Sequence, residues 1–237
     1  MQLTILDTVN DPGTSGKTGD DRVGFDASAG TAWVLDGATD VTDLRPFNRA
    51  ESGAAWVAQA LSDRLIIAPH DGETVEAYFE HVLSDVRQRA VKETRLPLDS
   101  LPGEALPIAS GMWMRLEGDT ATFAWLGDCM AHLQAARRQS NEQATGFGLD
   151  PRAAANLQTQ VMTLQAGDRI CLMSDGLYRL VSPYATHTPD TFMALVAEDG
   201  LGAAITTLRA FESTPDRGMP RLKARDDSSG VYVEIKA

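Results

Sequence analysis

The chain has 237 residues, and its 33 acidic side chains outnumber the 21 basic ones, which gives a formal net charge of −12. A field of that sign repels nucleic acid and anionic membrane surfaces, so we expect neither as a partner and expect cations as ligands. No apolar run approaches the roughly 18 residues of a transmembrane helix, and two cysteines are too few for a disulfide framework. Composition therefore predicts a soluble, cytoplasmic protein with one domain over residues 1–237; a monomer fits, but composition leaves the oligomeric state open.

The first third of the chain alternates between strand and helix patterns. Residues 3–9 and 22–26 are typical of strands, and residues 31–35 would pair with the second of these as a hairpin. Apolar residues at helical spacing then predict a helix over 54–65 and a longer one that begins after Thr74, a residue suited to cap it. We expect both helices to cover a core.

The remainder of the chain favours antiparallel sheet. Short strand-like runs at residues 111–116, 120–126 and 129–134 follow one another with tight turns. Residues 135–158 are polar and weakly patterned, which predicts a mobile surface loop. The last predicted elements are strands at 160–164 and 169–174, helices at 189–198 and 201–211, and a strand at 230–235.

One loop approaches a nucleotide-binding motif. Residues 11–18, DPGTSGKT, match the phosphate-binding loop except that Asp11 stands where its first glycine belongs. Such a loop must open a helix, and the residues that follow, GDDRVGFDAS, are typical of a strand instead. Nucleotide binding is kept as an alternative function, with Lys17 as the residue that would test it.

Acidic residues recur where predicted strands begin or end. If these carboxylates share one edge of a sheet, they repel one another unless divalent cations offset their charge. Oxygen ligands without His or Cys predict Mg²⁺ or Mn²⁺, leave Ca²⁺ open and argue against Zn²⁺. The alternative is a set of unrelated turn residues in an acidic protein. The set comprises Asp20, Asp21, Asp36, Asp128, Asp175 and Asp226.

Five motifs in order carry a family resemblance: GDDR at 19–22, WVLDGAT at 33–39, WLGDCMAHL at 125–133, GDRICLMSDGL at 167–177 and DDSSGVYVEI at 226–235. Together they resemble the metal-dependent protein phosphatases of type 2C. The resemblance implies an α+β fold, a four-layer α/β/β/α sandwich with two central antiparallel sheets flanked by helices. It also implies a binuclear metal centre at one end of the sandwich.

The same resemblance implies a role for each acidic position. Asp36 would bridge two Mg²⁺ or Mn²⁺ ions, and a hydroxide bridging those ions would attack the phosphorus atom. The other implied ligands are Asp175 and Asp226 on one ion, Asp20 and the carbonyl of Gly37 on the other, Asp21 through a bound water, and Asp128 on a third, weaker ion.

The sequence departs from the family pattern near the implied substrate site. Ala38 stands where many relatives carry a histidine thought to protonate the leaving group. Gly16 stands where an arginine usually contacts the substrate phosphate, which leaves Lys17 as the candidate phosphate-binding residue. Residues 39–47 are an insertion, and the 135–158 segment is shorter than the flap of many relatives.

These observations predict a signalling enzyme that removes phosphate from phosphoserine or phosphothreonine in proteins. Two further alternatives stay open beside the nucleotide-binding one. The first is a partner-switching phosphatase that acts on one small phosphoprotein. The second is a catalytically weak or silent module that keeps the fold and binds partners, which Ala38 and Gly16 would favour.

Overall fold

The structure is a computed structural model that describes residues 1–47, 50–126, 144–214 and 225–237. Its strands form two antiparallel sheets. The larger sheet has five strands, in the spatial order β2 (Arg22–Asp26), β3 (Thr31–Gly37), β4 (Ala109–Glu117), β5 (Thr120–Leu126) and β6 (Gln158–Thr163). The smaller sheet has three, in the order β1 (Gln2–Asp11), β8 (Ser228–Lys236) and β7 (Arg169–Met173).

The second helix begins after the predicted cap Thr74, and the helix before it begins after Ser52. The Thr74 hydroxyl accepts a hydrogen bond from the Ala77 N–H, and Ser52 caps the preceding helix in the same way. The last long helix is broken at Gly200, whose φ is +83°, so the two predicted helices at 189–198 and 201–211 form one bent element. The helices are α1 (Gly53–Leu65), α2 (Val75–Glu93), α3 (Asp175–Tyr178) and α4 (Pro189–Glu212).

Alternating side chains on the strands create the layers. On β3, Trp33 packs with α1 and α2, whereas its neighbour Val34 packs against the smaller sheet. On β8, Val231 and Val233 face the larger sheet, and Tyr232 between them packs with α4. The order is therefore helices, sheet, sheet, helices, which confirms the predicted four-layer sandwich.

Helix α4 is long and apolar enough, with a mean hydropathy of 1.2, to cross a membrane by length and composition. Its apolar side chains are nevertheless used inside the protein. Phe192, Val196 and Leu208 are buried in the same cluster as Tyr232 of the smaller sheet. Helix α4 therefore forms the outer layer that packs on the smaller sheet.

The prediction of a mobile surface loop over 135–158 is wrong for residues 144–158. Phe147 is 1% exposed and stacks on Phe79 of α2 with 5.3 Å between ring centroids. Its backbone also exchanges two hydrogen bonds of 2.8 Å with Ala109. A few apolar residues hold this otherwise polar segment in place. They are too few to give the segment an apolar pattern in the sequence. Residues 127–143, with the predicted strand at 129–134 and Asp128, lie outside the described part.

Candidate metal centre

The β2–β3 hairpin brings two acidic segments together. Arg22 pairs with Leu35, so one step further along both strands Asp21 comes opposite Asp36. Gly37 makes this approach possible: a Cβ there would lie 2.7 Å from the carbonyl oxygen of Asp20 and 2.8 Å from that of Ala54. The glycine of the first Asp-Gly pair is thus required by packing.

Asp227 joins the smaller sheet to the same place. The Asp20 N–H donates to the Asp227 carboxylate, and a Cβ on Gly19 would lie 2.9 Å from the same Oδ2 atom. A Cβ on Gly176 would overlap the carbonyl oxygen of Asp227. The glycine of the second Asp-Gly pair therefore lets the backbone after Asp175 pass close to the backbone of Asp227.

The neighbouring Asp226, a ligand predicted from the sequence, is paired with an arginine. Its carboxylate forms an ion pair with Arg179 at 2.5 Å, and its carbonyl oxygen accepts from Arg209 at 2.7 Å. Strand alternation explains the difference, because Asp227 shares the face of Val231 and Val233, which pack between the sheets. In the sequence, the spacing of two residues from Val231 back to Asp227 is the pattern that places Asp227 on this face.

Asp21 is a buried carboxylate for which the described residues provide no ion pair. It is 1% exposed, and neither side-chain oxygen has a hydrogen-bond partner of normal geometry among the described residues. Burial, followed by the negative charge of Asp227, raises the pKa of Asp21 to about 7, against the smaller effect of the Ser174 and Ser229 hydroxyls. A cation between these acids would offset both the desolvation and the repulsion.

The start of α1 holds Asp20 from the other side. The Ser52 hydroxyl donates to Asp20 Oδ1 and accepts from the Ala55 N–H at 2.8 Å. Asp40, in the insertion, accepts from the N–H groups of Gly53 at 2.8 Å and Ala54 at 3.2 Å. Because a helix N-terminus favours negative charge, both acids are stabilised there. Neither Ser52 nor Asp40 was predicted from the sequence, although a serine just before an apolar run is a recognised cap signal.

The other predicted site residues lie outside the contacts described above. Asp175 is exposed at the first position of α3, and Lys17 is exposed in the loop after β1. Gly16 has a φ of +83° with open space around it, and the Ala38 N–H donates to the Ile108 carbonyl at 3.0 Å. The loop over 11–19 leads into strand β2 and opens no helix, which removes the structural basis of the nucleotide-binding alternative.

The donor set suits a hard divalent cation. The converging segments offer carboxylate and carbonyl oxygens, the ligands that Mg²⁺ and Mn²⁺ prefer. Within the described ranges, no three Asp, Glu, His or Cys residues are grouped closely enough to count as a formed metal site. The observation in favour of a metal is the buried, unpartnered Asp21 beside Asp227.

Two stacked antiparallel sheets flanked by helices are the fold of the metal-dependent phosphoprotein phosphatases. The family model described as protein phosphatase 2C matches residues 14–211, and the chain belongs to that family. Comparison with curated protein sequences gives no significant match.

Solved structures show the same fold at low sequence identity. The chain is similar to the Mycobacterium tuberculosis serine/threonine phosphatase PstP/Ppp, with a TM-score of 0.62 and 14% identity over 100% of both chains. A PstP catalytic domain in complex with two manganese ions gives 0.57 and 15%, over 100% of this chain and 99% of that one. PppA, a regulatory component of T6SS in Pseudomonas aeruginosa, also gives 0.57 and 15%, over 99% and 98%.

Proposed function

We propose that this chain is a Mg²⁺- or Mn²⁺-dependent protein phosphatase that hydrolyses phosphoserine and phosphothreonine. The observation that supports it best is the approach of Asp20, Asp21 and Asp227, which leaves a buried carboxylate in need of a cation. Family membership supports the reaction class. The neighbour with two manganese ions is a separate protein, and its metals are a proposal for this one.

We assign Asp36, Asp20, the Gly37 carbonyl, Asp175 and Asp227 as the groups that would hold two ions. Asp227 takes the role that the sequence analysis gave to Asp226, because Arg179 already neutralises Asp226. Asp21 would act through a bound water, and Asp128 remains the proposed ligand of a third, weaker ion. Such ions lower the pKa of a shared water and stabilise negative charge on the phosphoryl oxygens.

Residues of the chain would hold the metal-binding carboxylates in place and determine where the proton for the leaving group comes from. Ser52 and the Asp20 N–H fix the carboxylates of Asp20 and Asp227, which lessens the reorganisation needed when charge develops. Ala38 has no proton to give, so we assign protonation of the leaving alkoxide to water. Lys17, exposed on the neighbouring loop, is proposed to contact the phosphate as a point charge.

A phosphatase assay tests this proposal directly. The purified chain is given p-nitrophenyl phosphate and a phosphothreonine peptide in EDTA, Mg²⁺, Mn²⁺ or Ca²⁺, and we expect turnover with Mn²⁺ or Mg²⁺ and none in EDTA. Asp36→Asn and Asp175→Asn should abolish turnover, whereas Asp99→Asn, whose side chain is 97% exposed, should not. Absence of turnover with every metal would overturn the proposal.

The silent binding module remains the second candidate, because Ala38 and Gly16 replace two groups that touch the substrate in many relatives. It would bind a phosphopeptide without releasing phosphate, so the same assay, with binding measured in parallel, separates the two. A partner-switching phosphatase would hydrolyse one small phosphoprotein far better than unrelated phosphopeptides.

A further inference from the structure

A cleft of about 960 Å³ opens beside the acidic edge. It lies between the loop after β1, the first half of α1 and the last turn of α2. The side chains that matter for its chemistry are Arg22, Glu51, Arg89, Lys92, Glu93 and Arg95.

The charge of this cleft is opposite to that of the protein. Four of the residues that line it are cationic and two are anionic, an excess of two positive charges on a chain whose net charge is −12. Arg89 and Glu93 offset each other, because Glu93 accepts from Arg89 Nε and from Trp56 Nε1, each at 2.8 Å. Arg89 also pairs with Asp63, so the positive field of the cleft comes from Arg22, Lys92 and Arg95. Lys92 is exposed at the mouth of the cleft.

The floor of the cleft is preorganised by a chain of hydrogen bonds. Arg22 Nε donates to Gln59 at 2.6 Å, Gln59 donates to Asp63 at 2.6 Å, and Arg89 pairs with Asp63 at 2.7 Å. Arg89 also lies over the Trp56 ring, 6.0 Å from its centroid. Side chains fixed in this way lose little further entropy when a ligand arrives.

The cleft is continuous with the candidate metal centre. Arg22 donates to the carbonyl oxygens of Asp21 and Gly19, so one wall begins at the residue after Asp21. Glu51 of the opposite wall directly precedes Ser52, which donates to Asp20. A substrate peptide that extends from the metal centre between Arg22 and Glu51 would therefore enter the cleft directly.

We propose that this cleft docks an acidic segment of the phosphoprotein substrate, next to the phosphorylated residue. The proposal rests on the function proposed above and names a feature of its substrate. An overall charge of −12 repels a phosphorylated, acidic polypeptide, and a local cationic cleft beside the reaction site reverses that repulsion where the substrate lies. An extended peptide covers about 3.3 Å per residue, so a few residues beside the phosphothreonine suffice to occupy it.

The test compares two phosphothreonine peptides, one flanked by glutamates and one by glutamines, with Lys92→Glu and Arg95→Glu. We expect each variant to lower kcat/KM for the glutamate peptide about tenfold by placing like charges together. The glutamine peptide and p-nitrophenyl phosphate should keep their rates. Lys92→Gln, which removes the charge without reversing it, should have a smaller effect of the same kind.

Lys236→Glu is the matched control. It makes the same charge change at the far end of β8. Lys236 lies about 26 Å along the strand from Ser228, which is next to the acidic edge. An equal loss in Lys236→Glu would mean that net charge alone is responsible and would overturn the proposal. So would an equal loss for both peptides in Lys92→Glu, or no loss for either.

A binding measurement separates this inference from the proposed function. If no substrate is turned over with any metal, the proposed function fails, and fluorescence anisotropy of the labelled glutamate peptide still reports docking. Weaker binding to Lys92→Glu than to Lys236→Glu would support the cleft as the docking site. Equal binding to both variants, or tighter binding of a single-stranded oligonucleotide than of the peptide, would overturn it.

Discussion

In the metal-free protein, Asp21 is in an unfavourable environment. Its carboxylate is removed from water, has no hydrogen-bond partner of normal geometry within the described ranges, and lies near Asp227 and Asp226. A buried charge without a partner costs free energy of folding, and a bound cation recovers that cost. The same residue therefore links stability to metal binding.

Replacing Asp21 by Asn should stabilise the metal-free protein. Asn keeps the size of the side chain and removes the repulsion, so the thermal midpoint in EDTA should rise, by about 2–4 °C for each kcal/mol gained. The further rise on adding Mn²⁺ should be smaller than in the wild type. Differential scanning fluorimetry measures both, and a lower midpoint in EDTA would contradict this account.

A second residue-scale prediction distinguishes the two adjacent acids. Asp227→Asn should weaken Mn²⁺ binding by more than about 100-fold, because it removes a proposed ligand. Asp226→Asn weakens the ion pair with Arg179 and should retain most Mn²⁺ affinity. Isothermal titration with Mn²⁺ gives both affinities, and the reverse order would return the ligand role to Asp226.

At the scale of elements, α3, α4 and the start of β8 are joined by buried charges. Arg209 of α4 donates to Asp11 at 2.8 Å and to the Asp226 carbonyl, and it pairs with Glu212 at 2.6 Å. Glu212, whose side chain is fully buried, also accepts from the Tyr184 hydroxyl and lies 3.8 Å from Arg179. This network fixes the chain direction just before Asp227 and so sets where its carboxylate points.

Glu212→Gln should therefore destabilise the protein by about 3 kcal/mol, because two partly buried arginines lose a shared counter-charge. Urea unfolding measures the loss. Glu234→Gln is the matched control, since Glu234 pairs with the partly exposed Arg169 at 3.2 Å and should cost less than about 1 kcal/mol. Equal losses in the two variants would show that the network adds nothing beyond a surface ion pair.

Considered whole, the molecule is strongly acidic, and divalent cations should stabilise it in a saturable way. A ligand at 100 times its dissociation constant contributes about 2.7 kcal/mol, or a rise of about 5–10 °C in a chain of this size. Thermal melts in Mn²⁺ and in EDTA test this. NaCl at the same ionic strength is the control, and an equal rise in NaCl would indicate general screening of the −12 charge instead of a site.

Much of the architecture could be predicted from the sequence, because strand alternation and helix periodicity report directly which face is buried. The β2–β3 hairpin and the Thr74 cap are examples. The wrong prediction of a loop around Phe147 and the still open choice between Asp226 and Asp227 have a different physical origin. Phe147 is held by distant partners on α2 and β4, and the choice between Asp226 and Asp227 depends on which face of β8 meets the other sheet. Both require tertiary contacts that local patterns do not contain.

The pairing of the first strand with the last bears on the order of events during synthesis. β8 is the middle strand of the smaller sheet, with β1 on one side and β7 on the other, and Gln2 is opposite Lys236. A nascent chain that ends before Ser228 can already form the β2–β3 hairpin, which brings Asp21 to Asp36, but it has no central strand between β1 and β7. The approach of Asp227 to Asp20 therefore has to wait until residues 228–236 have been synthesised and paired.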